Sequence, residues 1–226
     1  MKKFVLALNV IIYPLFLSCQ SNTNGLIKEA EEKLKAGKAT TSQILTDKKY
    51  DAVHPETEFR SIIEKYAKAE TISIATDTIP GRKIKVIGVV KNEDGKPIAN
   101  ALVYLYHTDS RGWYAANSPH VNMNEGDMRH ARLFSYVRTD KDGKFELHTI
   151  KPSGYPQSDL PAHIHVHVTA DGYRNFVNEF LFDDDERLVG NIRDNSIRNQ
   201  FIIAKPEKAE KPFEQKFSYT ITIQKQ

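Results

Sequence analysis

The chain has 226 residues, of which 40% are hydrophobic and 27% charged, so it is long enough for one domain with a sizeable core and an appendage. The formal net charge is +3, and it falls to +1 when Lys2 and Lys3 are left out. A net charge this small does not indicate a basic surface that would bind nucleic acid, and we expect no nucleic-acid partner. Cys19 is the only cysteine, so no disulfide can form within the chain.

Residues 1–18 are typical of a signal peptide. A basic start precedes an apolar run from Phe4 to Leu17, which is too short to span a bilayer comfortably. The run ends in L-F-L-S-C, which resembles a bacterial lipobox, and there Cys19 would become the lipidated first residue. We therefore predict an exported protein of the cell envelope, lipid-anchored to a bacterial membrane, with residues 19–25 as a polar tether. The alternative is that Cys19 is only a leftover residue of a discarded signal peptide.

Residues 26–70 are predicted to form a small, partly helical N-terminal appendage. Residues 26–36 have helical composition and end at Gly37, a common helix stop. A second helix is predicted over residues 55–69, where apolar residues recur at helical spacing. These apolar residues are Phe59, Ile62, Ile63 and Tyr66.

From Thr71 onward the pattern changes to alternating apolar and polar residues, which predicts short strands separated by turns. The predicted strands cover residues 84–90, 101–106, 132–138, 144–150, 162–169, 176–182 and 217–223. Strands at this spacing are typical of a β-sandwich. We therefore predict an all-β fold, with a β-sandwich core over residues 71–226. Residues 205–212 are predicted as a charged loop, and the long segment from Thr108 to Arg132 is of a length that is usually functional.

The segment P-A-H-I-H-V-H-V, residues 161–168, places histidines at alternate positions of a predicted strand. Residues two apart point to the same face, so His163, His165 and His167 share one face and the apolar residues between them face the core. Two imidazoles at this spacing can converge on one metal ion. Because strand histidines without a metal are common, H-x-H alone is a weak signal. We expect His167 to lie beside the site or in solvent, and His107 and His148 to be surface or loop residues.

Two tyrosines strengthen the metal hypothesis. Tyr155 lies on a rigid P-S-G-Y-P turn upstream of the histidine strand, and Tyr114 follows Gly112 in the long segment. Phenolate is a hard anionic donor that suits a trivalent ion better than Zn²⁺ or Cu⁺. A free phenol has a pKa near ~10, so binding as phenolate requires a strongly Lewis-acidic ion. Fe³⁺ fits these requirements.

Four segments together resemble the intradiol ring-cleavage dioxygenases, that is, the protocatechuate and catechol dioxygenases. They are G-W-Y at 112–114, R-T-D-K-D-G-K-F at 138–145, T-I-K-P-S-G-Y-P at 149–156 and P-A-H-I-H at 161–165. The resemblance covers roughly residues 80–185, and its last two segments are its most specific.

The resemblance implies a β-sandwich with one non-haem Fe(III) per chain, held by Tyr114, Tyr155, His163 and His165. It implies a small aromatic diol and O2 as substrates, with the ring cut between its two hydroxylated carbons to give a muconate-type dicarboxylate. The diol would bind as a dianion and displace Tyr155, which makes Tyr155 the catalytic ligand. A homodimer is left open, because family members often associate through an N-terminal segment.

Two positions depart from the family pattern. Leu160 stands where the family has an arginine that is thought to stabilise negative charge on the ring, and losing a comparable donor elsewhere costs on the order of 10²–10³ in rate. Asn178-Glu179 replaces a T-Q motif, so a carboxylate stands where a neutral amide is usual. Arg111, Arg132 and Arg138 are candidate replacements for the missing cation. The sequence therefore supports the prediction of iron binding more strongly than the prediction that an ordinary catechol is turned over.

Two alternatives explain parts of the same sequence. Residues 86–105 also look like the opening of a transthyretin-like or carboxypeptidase-regulatory module, which would be a metal-free envelope binding or structural domain. Such a module has no reason to place two tyrosines around P-A-H-I-H. A cupin-type site also uses H-x-H, but it needs a glutamate a few residues downstream, where this chain has Thr169 and Ala170.

Overall fold

Two five-stranded mixed sheets pack face to face in the computed structural model, which describes residues 15–76, 78–115 and 131–226. The first sheet has the order β1-β5-β2-β10-β9 and the second β4-β3-β6-β7-β8. The strands are β1 Thr71–Ser73, β2 Lys83–Asn92, β3 Leu102–His107, β4 Leu133–Arg138, β5 Lys144–Ile150, β6 His163–Thr169, β7 Phe176–Phe182, β8 Ile202–Ala204, β9 Glu207–Lys208 and β10 Gln215–Ile223. The predicted β-sandwich is confirmed.

Alternation of buried and exposed residues explains why these segments form strands. In β2 every second residue is buried, including Ile84, Val86 and Val90. In β6 the buried set is Ile164, Val166 and Val168, as the sequence predicts. The buried faces of both sheets form one apolar core, which leaves the opposite face of β6 free to carry its histidines.

All seven predicted strands are present, and in the part of the chain that the structure describes the pattern missed only the shortest ones. β1, β8 and β9 contain three, three and two residues, too few for alternation to be visible. β9 lies inside the segment predicted as a charged loop. A helix, α4 Gly190–Arg198, was also missed, because Ser196 is its only buried residue and it carries no apolar stripe.

The N-terminal appendage is more helical than predicted. Its elements are α1 Leu15–Lys35, α2 Thr41–Thr46, a 3-10 helix Lys48–Val53 and α3 Thr57–Lys65. The helix expected at residues 26–36 is thus the second half of α1, and residues 19–25, predicted as a tether, are helical. Helix α2 was not predicted, although the sequence carries a signal for its start. This signal is a capping box, in which the side chains of Thr40 and Gln43 each accept a hydrogen bond from the other residue's backbone amide. Within the described residues, no helix is long and apolar enough to cross a membrane.

Arg60 fixes α3 over the outer face of the second sheet. Its guanidinium donates hydrogen bonds to the carbonyls of His54 and Ala131 at 3.1 Å and to the hydroxyl of Tyr104 at 2.6 Å. It also lies over the ring of Phe134, 3.6 Å from the centroid. Only 3% of Arg60 is exposed, so these contacts replace the water that a guanidinium would otherwise bind. The appendage therefore forms one wall over the histidine face.

Candidate functional site

The histidine face of β6 is continued by aromatic and acidic side chains of its neighbours. His165 pairs with Tyr106 of β3 on one side and with Glu179 of β7 on the other. Residues opposite each other in a sheet point to the same face, so these three side chains form one row. The rings of Tyr106 and His165 stack at 4.4 Å with an interplanar angle of 12°.

Tyr114 is positioned by the segment that follows β3. The carboxylate of Asp109 accepts hydrogen bonds from the backbone amides of Arg111 and Trp113, which folds this segment back on itself. Gly112 has φ +79°, and a Cβ there would overlap the carbonyl oxygen of Gly154. The glycine therefore lets the Tyr114 segment touch the turn that carries Tyr155. Tyr114 itself is only 1% exposed.

Tyr155 is positioned by a turn that is held from two sides. The hydroxyl of Thr108 donates to the carbonyl of Ser153 at 2.7 Å. Behind the turn, the guanidinium of Arg187 donates to the carbonyls of Tyr155, Ser158 and Leu160 at 3.1–3.3 Å. These bonds hold the backbone of the turn, whereas the Tyr155 ring is partly exposed and faces the histidines.

The four predicted site residues converge. The hydroxyl oxygen of Tyr114 lies 2.7 Å from that of Tyr155 and 2.7 Å from Nε2 of His165. The hydroxyl of Tyr155 lies 3.1 Å from Nε2 of His163. Nδ1 of His163 donates to the carbonyl of Pro161 at 2.8 Å, so its Nε2 lone pair points at the cluster, as in histidines that bind metal ions. We call Tyr114, Tyr155, His163 and His165 the donor quartet.

The donor quartet fits a hard metal ion. Ligands about 2.0–2.2 Å from one ion lie roughly 2.8–3.6 Å from their neighbours, and the contacts of 2.7–3.1 Å are close to this range. Burial raises the pKa of Tyr114 above its ordinary value, and the neighbouring Tyr155 adds to the shift. A phenolate at this position therefore needs a strongly Lewis-acidic cation to stabilise it.

Glu179 is a possible ligand that the sequence reasoning did not include. One carboxylate oxygen of Glu179 and one ring nitrogen each of His163 and His165 all lie within 4.8 Å of one another. Finding it from sequence would have required the register between β6 and β7. That register depends on the turn after Thr169, where Val168 pairs with Phe176.

A pocket of about 680 Å³ opens over the donor quartet. Its floor is the outer face of the second sheet, one wall comes from α3 and another from the Tyr155 turn. The lining residues are Thr57, Arg60, Ser61, Glu64, Tyr104, Tyr106, Tyr136, Tyr155, Leu160, His163, His165, His167, Val177, Glu179 and Phe201. The volume is in the range of pockets that bind small molecules.

The arginines proposed to replace the missing cation lie elsewhere. Arg111 and Arg132 approach the carboxylate of Asp109, at 2.6 and 3.7 Å. Arg138 donates to the carbonyl of Asn100. None of the three lines the pocket, whereas Arg60, which the sequence analysis did not single out, does. Leu160 lies at the pocket and is 50% exposed.

Three of the other histidines, His107, His148 and His167, lie in different surroundings. His167 lines the pocket beside the quartet, and burial lowers its pKa. The expectation of a surface position for His107 was wrong: it is fully buried, its Nδ1 donates to the carbonyl of Thr108, and its Nε2 accepts from the hydroxyl of Thr149. Burial lowers the pKa of His107 to about 4. His148 is partly exposed and contacts Glu146. The side chain of Cys19, the predicted lipidation site, lies outside the described residues.

Comparison with known proteins identifies relatives of this chain. A family model described as "Dioxygenase" matches residues 63–225. Catechol 1,2-dioxygenase 2 of Acinetobacter lwoffii is 32% identical over 130 residues, which is 49% of this chain and 44% of the relative. Chlorocatechol 1,2-dioxygenase of Rhodococcus opacus is 30% identical over 138 residues, 54% of this chain and 51% of the relative. The aligned part thus spans about half the length of these relatives.

A solved structure shows the same fold. The 3-chlorocatechol 1,2-dioxygenase of Rhodococcus opacus 1CP superimposes with a TM-score of 0.56 at 21% sequence identity. The superposition covers 71% of this chain and 68% of that protein. The family model covers most of the chain, including the donor quartet and the strands beneath it. The chain therefore belongs to the intradiol dioxygenase family.

Proposed function

We propose that this protein is a non-haem Fe(III) dioxygenase that cleaves a catechol-type aromatic ring between its two hydroxylated carbons, with O2 as co-substrate and a dicarboxylate as product. The observation that supports this most directly is the convergence of two phenol oxygens and two imidazole nitrogens on one point beneath the pocket. Family membership supports the reaction class.

The residues that would hold one Fe(III) per chain are Tyr114, Tyr155, His163 and His165. When bound there, the ion would supply the Lewis acidity that favours the doubly deprotonated diol and makes the ring reactive toward O2. His163 and His165 are fixed on β6, and His163 is oriented by its bond to Pro161. The protein thereby contributes ligands whose orientation does not depend on the substrate.

The two tyrosines would have different roles. Tyr114 is buried and is not part of the pocket lining, so it would act as a fixed ligand. Tyr155 lines the pocket and is partly exposed, so its ring can turn away from the histidines while the backbone of its turn stays in place. Its oxygen is then placed to accept a proton from an incoming diol, a role that a fixed, buried tyrosine could not take.

The pocket suits a flat aromatic substrate. Tyr104, Tyr106 and Tyr136 provide aromatic surface, and Leu160, Val177 and Phe201 provide apolar surface. Offset or edge-on packing of a substrate ring against these tyrosines would be worth about 0.5–1.5 kcal/mol per ring pair. Such packing also excludes water from the reacting carbons.

Arg60 is the proposed source of the positive charge that Leu160 does not supply. Arg60 is among the lining residues of the pocket, and its guanidinium donates a 2.6 Å hydrogen bond to the hydroxyl of Tyr104. Tyr104 also lines the pocket, so the hydrogen bond from Arg60 polarises a hydroxyl that an anionic substrate would meet. The charge would therefore reach an anionic substrate through Tyr104, and Arg60 would be a positioning residue.

The test is O2 uptake by purified, iron-loaded protein with a panel of catechols in an oxygen electrode. We expect one O2 consumed per diol, a dicarboxylate product, and a coloured protein because phenolate-to-iron charge transfer absorbs visible light. Iron-loaded, coloured protein that consumes no O2 with any diol would contradict the proposed activity. The metal-free transthyretin-like alternative predicts a protein that stays colourless after iron is added.

The cellular setting is a second proposal, and it rests on the sequence alone. The N-terminal run and Cys19 support export and lipid attachment to a bacterial membrane, with the folded domain in the cell envelope. A homodimer joined through the N-terminal segment is compatible with the family, and it would be measured by light scattering.

A further inference from the structure

We infer that Glu179 is a fifth protein ligand of the metal ion, an inference that rests on the donor quartet of the proposed function. Glu179 lies on β7 directly opposite His165. Its carboxylate points to the same face as the two ligand histidines, and the nearest donor atoms of the three residues lie within 4.8 Å of one another. Glu179 also lines the pocket, so a ligand at the quartet would meet it.

The distances suit a shared ion. Two ligands on opposite sides of an ion, each about 2.0–2.2 Å away, are roughly 4.0–4.4 Å apart. A span of at most 4.8 Å exceeds this value by only a few tenths of an ångström for one pair on opposite sides of the ion, and ligands that are neighbours around the ion would have to move closer together. Glutamate can make this adjustment by rotating its side chain, because Glu179 is only partly buried.

The charges around Glu179 also favour a metal ion beside its carboxylate. Among the described residues, no lysine, arginine or histidine nitrogen forms an ion pair with the Glu179 carboxylate. A partly buried carboxylate without a cationic partner is costly, and a metal ion beside it would offset that cost. Two phenolates and this carboxylate carry three negative charges, which match a trivalent cation. A neutral amide at this position would leave one charge to be balanced from solvent.

The experiment compares Glu179→Gln with the wild type, both loaded with Fe(III). The control is Glu64→Gln, which removes a carboxylate from the same pocket on α3, where it is not among the donor atoms that converge. The measurements are iron affinity by competition with a chelator, and the wavelength of the phenolate-to-iron band. Neither depends on turnover.

We expect Glu179→Gln to lose at least about tenfold in iron affinity, since even residues that only support metal ligands contribute 10–100-fold. We also expect its band to move to longer wavelength, because a neutral donor leaves the ion a stronger electron acceptor. Glu64→Gln should match the wild type in both. In the wild type, the infrared carboxylate bands should shift on iron loading, a check that needs no folded variant.

Unchanged affinity and wavelength in Glu179→Gln, or wild-type carboxylate bands that do not move on iron loading, would overturn the inference and leave the proposed function standing. A wild type that binds iron and shows the Glu179 effects but consumes no O2 would support the inference and overturn the proposed function. A wild type that binds no iron would overturn both.

Discussion

The hydroxyl oxygens of Tyr114 and Tyr155 lie 2.7 Å apart, although 41 positions separate the two residues in the chain. Neither residue is in a strand, so strand pairing does not bring them together. The contact depends on Gly112, whose lack of a side chain lets its segment approach the carbonyl of Gly154, and on Asp109 and Arg187, which hold the two segments in place. The phenol half of the site is thus built by loops, and the imidazole half by one strand.

Tyr155→Phe should bleach part of the visible band of the iron-loaded protein and lower turnover by about 10²-fold or more, because a phenolate ligand and a proton acceptor are lost together. Visible spectra and oxygen-electrode rates measure the two effects. Tyr173→Phe, which removes a hydroxyl away from the pocket, is the control and should change neither. An unchanged spectrum in Tyr155→Phe would remove this residue from the metal site.

Arg60→Met should lower the free energy of unfolding by about 2–4 kcal/mol, because two buried carbonyls and the partly buried hydroxyl of Tyr104 lose their donor. Arg138→Met, which removes one exposed hydrogen bond, should cost less than about 1 kcal/mol. Urea titration of the two variants measures the difference. Equal effects in both would show that the contacts of Arg60 do not hold α3 in place.

Arg60→Met should also lower kcat/KM for a diol by at least about tenfold if its charge serves the substrate, with iron content unchanged. Leu160→Arg in the Arg60→Met background places a cation at the pocket again, at a site that is 50% exposed and can accept a long side chain. Part of the lost kcat/KM should then return. The measurement is made at 25 °C, where the variant is folded. If Arg60→Met then loses no kcat/KM, Arg60 has only a structural role.

His107 should make stability depend on pH. Burial lowers its pKa to about 4, against 6.5 in the unfolded chain. Between these values the unfolded chain binds more protons than the folded one, so the free energy of unfolding rises as the pH increases from about 4 to 6.5. The full effect would be on the order of 3 kcal/mol. It is lost as the pH falls through this window.

Urea titrations from pH 4.5 to 7 on the wild type and His107→Gln test this dependence, because glutamine has no charge to gain. The slope against pH should be smaller in the variant. His54 and His167 also have lowered pKa values, so some slope should remain. Identical slopes would show that His107 does not carry the effect.

Cys19→Ser should release the protein from the membrane fraction of a bacterial host, because the lipid would be its only link to the membrane. Immunoblotting of membrane and soluble fractions measures the change, and mass spectrometry of the wild type should find the lipid on Cys19. A wild-type protein that is already soluble and unlipidated would contradict the prediction.

Sequence reasoning recovered the features that depend on local pattern. Alternation in β2, β5, β6 and β7 located the strands because burial on one face acts residue by residue. The donor quartet was found because its members sit in recognisable segments. The structure brings those four side chains together, whereas metal binding and the identity of the ion stay predictions.

The features that were missed depend on how distant elements dock. Glu179 meets the histidines only through the register of β6 against β7, and Arg60 enters the pocket only because α3 lies over the sheet. The burial of His107 was missed because it ends a strand, where alternation no longer predicts which way a side chain faces. In each case the decisive contact joins parts of the chain whose relative placement no short motif records.

The close contact between Gly112 and the carbonyl of Gly154 couples the positions of the two segments that carry the tyrosines. A larger residue at Gly112 would overlap the carbonyl of Gly154 and push the two segments apart, and with them the two tyrosine oxygens. Redesign of the pocket for a different diol is therefore better directed to positions of β7 and α3 other than Glu179 and Arg60, because their side chains do not take part in that contact.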